Sequence, residues 1–372
     1  MRSDRISLLL KRRKIRHWFF NKKRQQKIND YLKSVDFDNR CLICCDLDGT
    51  LLNSKSEISK YSEKVIKKLW EDKRYMFCIL TARPRRSSIQ FYNQLGLHTP
   101  LVNYNGARLF NPRHSSFAEL NYFISTEIIY EIFSKKNIMK LVDNVVLETP
   151  DGTFFLKDQR KTHDIKEVRK ALEKFNIYTT KDINYVSDNF AKLKFGAYSI
   201  LVALKDMSKA VELSKQISKI CSNVIVRSWT EEHVGTIVEI NSLFPSKGMS
   251  LKYLSVYYDV PLERCYFFGD NDNDKEALQL AGHGYAMKNG TAEAKKAANE
   301  VTEYTNDEDG VARELNKIFK LGVAYEKASA AKTAEIKQEA KAIKKKQQKE
   351  QPQQEQLKKV AKKVEKEMTK KK

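Results

Sequence analysis

No apolar run in this 372-residue chain approaches the roughly 20 residues that a membrane-spanning helix requires. The opening segment, MRSDRISLLLKRRKIRHWFF, has too short an apolar core and the wrong order of parts for a secretory signal, although its arginine content also suits an organelle transit peptide. Cysteine is sparse. The six residues Cys41, Cys44, Cys45, Cys78, Cys221 and Cys265 lie mostly inside apolar strand-like runs, which suits small reduced core residues rather than a disulfide framework and points to the cytoplasm. Cys41 and Cys44 form a CxxC spacing, but no second pair or histidine cluster follows, so neither a metal nor a redox role is expected there. No internal repeat is evident, and the apolar positions past about 320 are too sparse and irregular for a sustained heptad.

What is abundant is positive charge, and it is unevenly placed. Residues 1–40 carry 13 Lys/Arg against 4 Asp/Glu and residues 321–372 carry 16 against 7, so each arm is +9 of a total of +22. The middle holds 40 basic and 36 acidic residues, so the basicity belongs to the ends and says little about a site between them. The N-terminal arm interleaves Lys/Arg with Trp18, Phe19 and Phe20, which fits a surface helix or solvated extension, or docking on an anionic membrane or nucleic acid. Past 320 the chain becomes Ala, Lys, Glu and Gln, the composition of an exposed helix or a disordered tail without its own core. A hydrophobic content of 41% leaves enough for real cores between the arms.

The stretch around which the middle is organised is CLICCDLDGTLLN, residues 41–53. Cys41 to Cys45 read as a short buried strand, so Asp46 and Asp48 fall at its carboxyl edge, where open α/β sheets place their chemistry. At i and i+2 the two carboxylates would share one side if the strand continued. Gly49 permits a turn that brings the backbone close to a ligand. Carboxylates so near each other are costly unless something positive lies between them, and a hard divalent cation such as Mg2+ is the simplest remedy.

A helix with one buried face follows within 58–73, where Ile58, Tyr61, Val65, Ile66, Leu69 and Trp70 recur at helical spacing. YMFCIL (75–80) is a second short strand ending in Thr81, with a helix starting near Pro84, and LVNYNGARLF (101–110) is a third strand broken by Asn105-Gly106. This alternation predicts a doubly wound parallel sheet of the α/β class. From 112 to 230 the rhythm changes. Candidate strands NVVLE, GTFFL, FAKLKFGA, SILVAL and NVIVRS, with helical patterns at 126–137, 164–175 and 206–221, describe an inserted α+β domain. The parallel rhythm is then expected to resume with TIVEI (236–240), a helix near Ser246-Lys247-Gly248, RCYFFG (264–269), a helix from Lys275 and a last strand at 284–287.

Four polar marks fall at or near strand ends or helix starts: Asp46/Asp48, Thr81, Lys247 and GDNDND at 269–274. Singly, each has a plainer reading as a turn former, helix cap, surface lysine or loop nest. The acidic cluster in particular lacks the sixth-position glycine and distal glutamate of a calcium-binding EF-hand. Together they supply a carboxylate nucleophile, an acid/base, a cation site, a hydroxyl and an ammonium, which are the parts a phosphoryl transfer needs.

DLDGT, LTAR, SKG and GDNDND in that order resemble the four-motif signature of the haloacid dehalogenase-like phosphatases, and the insert between the second and third motifs is similar to the Cof-type group with its α/β cap. VNYNGA, SKGMSLKYL and the run from Gly282 to Phe319 agree, over roughly 41–320. One departure is Ala82, where the family commonly has glycine. The resemblance implies a Rossmann-like core at 41–111 and 231–320, an inserted cap at 112–230, and extensions at 1–40 and 321–372. It implies a cytoplasmic Mg2+-dependent phosphatase acting on a phosphomonoester of a small metabolite, such as a sugar phosphate, nucleotide or cofactor phosphate. Asp46 would attack phosphorus to give an aspartyl-phosphate. Asp48 would protonate the leaving oxygen and then activate water, its acidity shifted toward neutrality by Asp46. The resemblance further gives the metal to the carboxylates of Asp46 and Asp270 and the backbone carbonyl of Asp48, with Asp274 orienting the metal shell. Thr81 and Lys247 would hold phosphoryl oxygens, with Asn273 near them. Ion-pumping ATPases of the same superfamily have threonine in place of Asp48, and the dehalogenases lack the second aspartate, so phosphatase is the expected activity. Asn105, Arg227 and His233 lie near the domain junctions and could touch substrate, but are not counted as catalytic. The alternative role, from another class, is a nucleic-acid or ribosome-associated binding protein using the basic arms.

Overall fold

A computed structural model of the chain describes residues 39–155, 183–185, 193–231 and 235–325. Most of both charged arms, the helical pattern at 164–175, the first part of FAKLKFGA and His233 lie outside the described residues. Contacts divide the chain into a unit through Val323 and a second one from Ala324 to Lys372.

β1 (Cys41–Cys45) is short because both of its faces are spent on core. Leu42 and Cys44 face a cluster with Leu251, Leu254 and Phe267, while Ile43 and Cys45 face another with Val65, Ile66, Leu69 and Phe268. Such two-sided burial is what a parallel sheet covered by helices demands. The chain then turns through Leu47–Leu51 and enters α1 (Lys60–Glu71), capped by Ser59, whose hydroxyl accepts the N–H of Ser62. Val65, Ile66 and Leu69 form its buried stripe. β2 (Tyr75–Leu80) and α2 (Arg85–Gln94) follow, with Pro84 immediately before the helix. The expected third strand is instead a hairpin. β3 (Leu101–Asn103) and β4 (Arg108–Phe110) pair antiparallel, and β5 (Leu120–Asn121) adds to β4. The reversal is made by Tyr104, Asn105 and Gly106, all with positive φ (52°, 55° and 105°).

The insert contains α3 (Thr126–Phe133), α4 (Lys136–Leu141), β6 (Val142–Thr149), β7 (Gly152–Phe155), β8 (Ile183–Tyr185), β9 (Ser199–Leu204), α5 (Ala210–Ile220), β10 (Val224–Glu231) and β11 (Gly235–Ser242). Its sheet has the order β10-β11-β9-β6-β7-β8, antiparallel except for β7 with β8. One correction concerns TIVEI: it lies within β11, which pairs antiparallel with β9 and β10 and so closes the insert instead of reopening the parallel sheet. Burial of Ile237, Val238 and Ile240 on alternating faces made it read like a parallel strand.

The first sheet resumes after α6 (Lys247–Tyr258) with β12 (Cys265–Gly269), α7 (Lys275–Leu280), β13 (His283–Ala286), α8 (Ala292–Ala297), β14 (Glu300–Val301) and α9 (Gly310–Ile318). Its order is β14-β13-β12-β1-β2-β3-β4-β5, parallel from β14 to β3. The fold is therefore an α/β core with a separate antiparallel cap sheet.

Candidate active site

Sheet register brings the marked residues to one edge. Cys45 pairs with Phe268 on one side and Ile79 on the other, so the next residues, Asp46, Gly269-Asp270 and Leu80-Thr81, emerge from neighbouring strand tips. Asp46 is anchored there by its N–H to the carbonyl of Phe268 (3.0 Å). Lys247 is the first residue of α6, whose start is fixed by Ser246 accepting the N–H of Met249. Its fully buried ammonium lies 2.8 Å from Asp46 Oδ1 and 2.7 Å from Asp274 Oδ1.

Asp274 is spoken for on its other side as well. Its Oδ2 accepts the backbone N–H groups of Asp270 (3.0 Å) and Asn271 (3.1 Å). Asp270 receives the Thr50 hydroxyl at Oδ1 (2.8 Å). Ligand atoms of Asp46, Asp270 and Asp274 all lie within 4.8 Å of one another. Gly49 is needed for this approach, because with φ at +69° a side chain there would be strained and its Cβ would come within 2.4 Å of Asp270 Oδ2.

Three carboxylates thus cluster about one ammonium that pairs with two of them. Burial pushes Asp46 well above the usual carboxylate range, with Asp274 and Asp270 adding to it and Lys247 opposing it. Asp270 is pushed up to about 6, first by burial and then by Asp274. Burial works against the Lys247 ammonium, but Asp274 and Asp46 more than offset it and hold its pKa above the ordinary value. A group of hard oxygen donors with surplus negative charge fits a divalent cation of the Mg2+ kind. Asp46 and Asp270 retain acceptor capacity for one, whereas both Asp274 oxygens are already engaged within the protein.

The two motif-one aspartates differ in exposure. The strand ends at Cys45, and beyond it Asp46 is buried while the Asp48 carboxylate is half-exposed and gripped by Arg83 through Nε to Oδ2 (2.7 Å) and Nη2 to Oδ1 (2.6 Å). The neighbour its carboxylate meets is therefore a guanidinium, in place of the carboxylate of Asp46 assumed from the sequence. Thr81 is buried, and its Oγ1 accepts the N–H of Arg83 (3.1 Å), which leaves the hydroxyl proton available to a ligand. Asn273 donates from Nδ2 to Asn105 Oδ1 (2.8 Å), so Asn105 joins the site rim. The positive-φ turn that carries Asn105 stores strain of the sort that functional sites tolerate. Gly106 lets that turn meet α6, since a Cβ there would come within 2.5 Å of the Ser246 carbonyl. Arg227, on β10, is exposed.

Sequence reasoning passed over three contributors. Arg83 follows Thr81 by two positions, Thr50 closes the DLDGT motif, and Asn289 binds the Gly49 carbonyl through Nδ2 (2.7 Å). The first two lay inside motifs already singled out and signal themselves by residue type. Asn289 had no local signal, because its partner is 240 residues away.

Comparison with known proteins agrees with this geometry. A family model described as haloacid dehalogenase-like hydrolase matches residues 43–315. The 5-amino-6-(5-phospho-D-ribitylamino)uracil phosphatase YitU of Bacillus subtilis is 36% identical over 282 residues, covering 75% of this chain and 98% of that protein. Phosphatase YwpJ of the same organism is 27% identical over 303 residues, covering 75% and 99%. Among solved structures, TM0651 of Thermotoga maritima superposes with a TM-score of 0.61 at 26% identity, covering 75% of this chain and 97% of that one. The match along most of the folded body and the phosphatase relatives lead to one conclusion: this chain belongs to the haloacid dehalogenase-like hydrolases and is a phosphoric monoester hydrolase.

Proposed function

We propose that the protein hydrolyses a small-molecule phosphomonoester through an aspartyl-phosphate on Asp46, with Mg2+ as cofactor. The observation that carries the reading is the cluster of buried Asp46 and Asp274 with half-buried Asp270 beside the ammonium of Lys247. Asp46 and Asp270 would hold Mg2+ together with the backbone carbonyl of Asp48, and Asp274 would keep the loop in place. When bound, the cation offsets the negative charge of carboxylate and phosphate and polarises the phosphoryl oxygens.

The chain's own groups divide the remaining work. Lys247 draws electron density from the phosphoryl oxygens and keeps Asp46 fixed, and Thr81 donates its hydroxyl to one of them. In the first step the bond from Asp46 to phosphorus forms as the ester P–O bond breaks, and the leaving oxygen takes a proton from Asp48, one of whose oxygens leaves the Arg83 fork to carry it. In the second, water bonds to phosphorus, the Asp46–P bond breaks, and the proton lost by water returns to Asp48.

The leaving group we favour is a polyhydroxylated chain of the ribityl type, as named for the 36%-identical relative. The cap offers matching acceptors. Thr153, Glu148, Ser199 and Asn241 stand opposite one another across four strands, so they share a face. Tyr104, beside the rim residue Asn105, reaches toward Glu148 of that row (3.4 Å). Asn241 gives its Nδ2 to Glu239 (3.1 Å), and its Oδ1 has no hydrogen-bond partner among the described residues.

A panel of polyol, sugar, nucleotide and cofactor phosphates assayed with Mg2+ or EDTA tests this reading, with Asp46→Asn as the control. We expect hydrolysis best on polyol phosphates, loss in EDTA, and a fall on the order of 10⁴-fold or more in kcat for Asp46→Asn. An Asp46→Asn protein that still hydrolyses p-nitrophenyl phosphate would overturn it.

A further inference from the structure

We propose that Arg83 is the positioning residue that aims both protein groups acting on the substrate from the motif-two side: Asp48 through its side chain, and Thr81 through its backbone. The inference rests on the aspartyl-phosphate reading above.

A half-exposed carboxylate on a turn would ordinarily sample several rotamers. Asp48 does not, because both of its oxygens meet the planar fork of Arg83 at 2.7 and 2.6 Å. A two-point contact fixes direction as well as distance, which a lysine could not do. The fork is itself held from behind. Its guanidinium lies over the ring of Phe91 (5.4 Å), Nη1 comes within 3.5 Å of the Ser87 carbonyl, and the Arg83 carbonyl accepts from Asn103 Nδ2 at 2.7 Å. Asn103 is fully buried at the tip of β3 and also donates to Ser88, so this support belongs to the sheet.

The backbone of the same residue acts on Thr81. Its N–H occupies a lone pair of Thr81 Oγ1 (3.1 Å), so the hydroxyl serves as a donor toward the phosphoryl group. Phosphate binding and proton transfer are thereby set by one rigid dipeptide step. Loss of the side chain frees Asp48 while leaving Thr81 in place, and this makes the two effects separable.

The experiment compares Arg83→Met, Arg83→Lys, Asp48→Asn and the double variant Arg83→Met/Asp48→Asn, each checked for folding by circular dichroism. Two substrates are used: an alkyl phosphate, whose leaving oxygen needs a proton, and p-nitrophenyl phosphate, whose leaving group departs without one. We expect Arg83→Met to lower kcat on the alkyl phosphate by about 10²-fold, with KM within about threefold. On p-nitrophenyl phosphate the phosphorylation burst should persist while turnover slows, so that acid-quenched aspartyl-phosphate accumulates, because the water-activating step still requires an aimed Asp48. The double variant should be no slower than Asp48→Asn by more than about threefold. Arg83→Lys should regain less than about tenfold of the loss. A raised KM with unchanged kcat would make Arg83 a substrate contact, and losses that multiply in the double variant would make it independent of Asp48. Either result overturns the proposal. If the native enzyme is inactive, or Asp46→Asn keeps its activity, the underlying reading fails instead. If those controls behave and Arg83→Met turns over normally, only the role of Arg83 is refuted.

Discussion

Along β1 and its neighbours the interior is apolar on both faces, and polar groups are confined to the strand tips, where Asp46 and Asp274 share Lys247 and Asp270 stands beside them. Across the cap sheet one face is apolar, with Val145, Leu147, Ile200, Val202, Val238 and Ile240, and the other mixes a polar row with the buried Val146, Phe155, Ala203 and Ile237. The two regions settle buried charge differently. Glu148, buried in the cap row, is met by Arg86 of α2 at 2.7 Å and by the hydroxyls of Thr153 (3.0 Å) and Tyr104 (3.4 Å), one cation for one carboxylate, although all three hydrogen bonds fall on Oε2 and Oε1 has none among the described residues. The core site is left with more carboxylates than cations. Buried charge that closes on itself holds domains together, and buried charge left open holds a place for a ligand.

Removing one member of each set sharpens that contrast. Lys247→Met leaves two buried carboxylates without their ammonium, and we expect it to cost about 3–5 kcal/mol in urea unfolding together with nearly all activity. Glu148→Gln keeps volume and hydrogen bonds to Thr153 and Tyr104 while losing only the pairing with Arg86, which is 23% exposed at its side chain. Screening reduces such a loss, so about 1–2 kcal/mol is expected, with p-nitrophenyl phosphate turnover kept within a few-fold. Equal destabilisation by the two substitutions would erase the distinction between open and closed charge.

How far the sequence disclosed these regions follows the same line. The strand–DxD element, the parallel order and the four motifs were legible because each is local: a five-residue apolar run can only be a strand buried on both sides, and its polar terminus then has one place to go. What depended on distant pairing was not. β11 carries Ile237, Val238 and Ile240 on alternating faces, a pattern shared by parallel and antiparallel strands, and only its register with Ser199–Leu204 assigns it to the cap. The hairpin at Tyr104–Gly106 reads as one interrupted strand until the antiparallel pairing of Leu101 with Phe110 is seen. Spacing would have put Asp46 and Asp48 on one side only if the strand continued, and it ends at Cys45. The Arg83 fork on Asp48 spans 35 positions, a contact that no local pattern encodes.

The open charge of the core site also sets a pH signature. Asp270 is pushed up to about 6 and Asp46 moves in the same direction. In the metal-free protein Asp270 holds a proton that the unfolded chain has already lost, so its contribution to stability falls as pH rises from about 4 through 6, and Asp46 acts in the same direction. Mg2+ competes with those protons for the same oxygens. Saturating Mg2+ should therefore raise Tm by on the order of 5 °C at pH 7.5 and by less than half of that at pH 5, in a thermal melt that needs no substrate. A shift as large at pH 5 as at pH 7.5 would mean that the cation binds elsewhere, and that the carboxylate cluster is as closed as the Glu148 set.

The smallest effect should come from Ala82, which lies between Thr81 and Arg83. Ala82 is exposed and does not belong to the positive-φ residues, so its methyl fits the loop without backbone strain. Glycine there would only widen the unfolded ensemble, and Ala82→Gly should lower stability by about 0.4–1 kcal/mol in urea titration with kcat changed by less than about twofold. The measurement bears on the whole motif-two segment, since Thr81 and Arg83 are joined across this residue by the Arg83 N–H to Thr81 Oγ1 bond of 3.1 Å. Were Ala82→Gly instead to speed turnover about tenfold, the alanine would be restraining that bond. The open character of the core site would then depend on loop strain as well as on unbalanced charge.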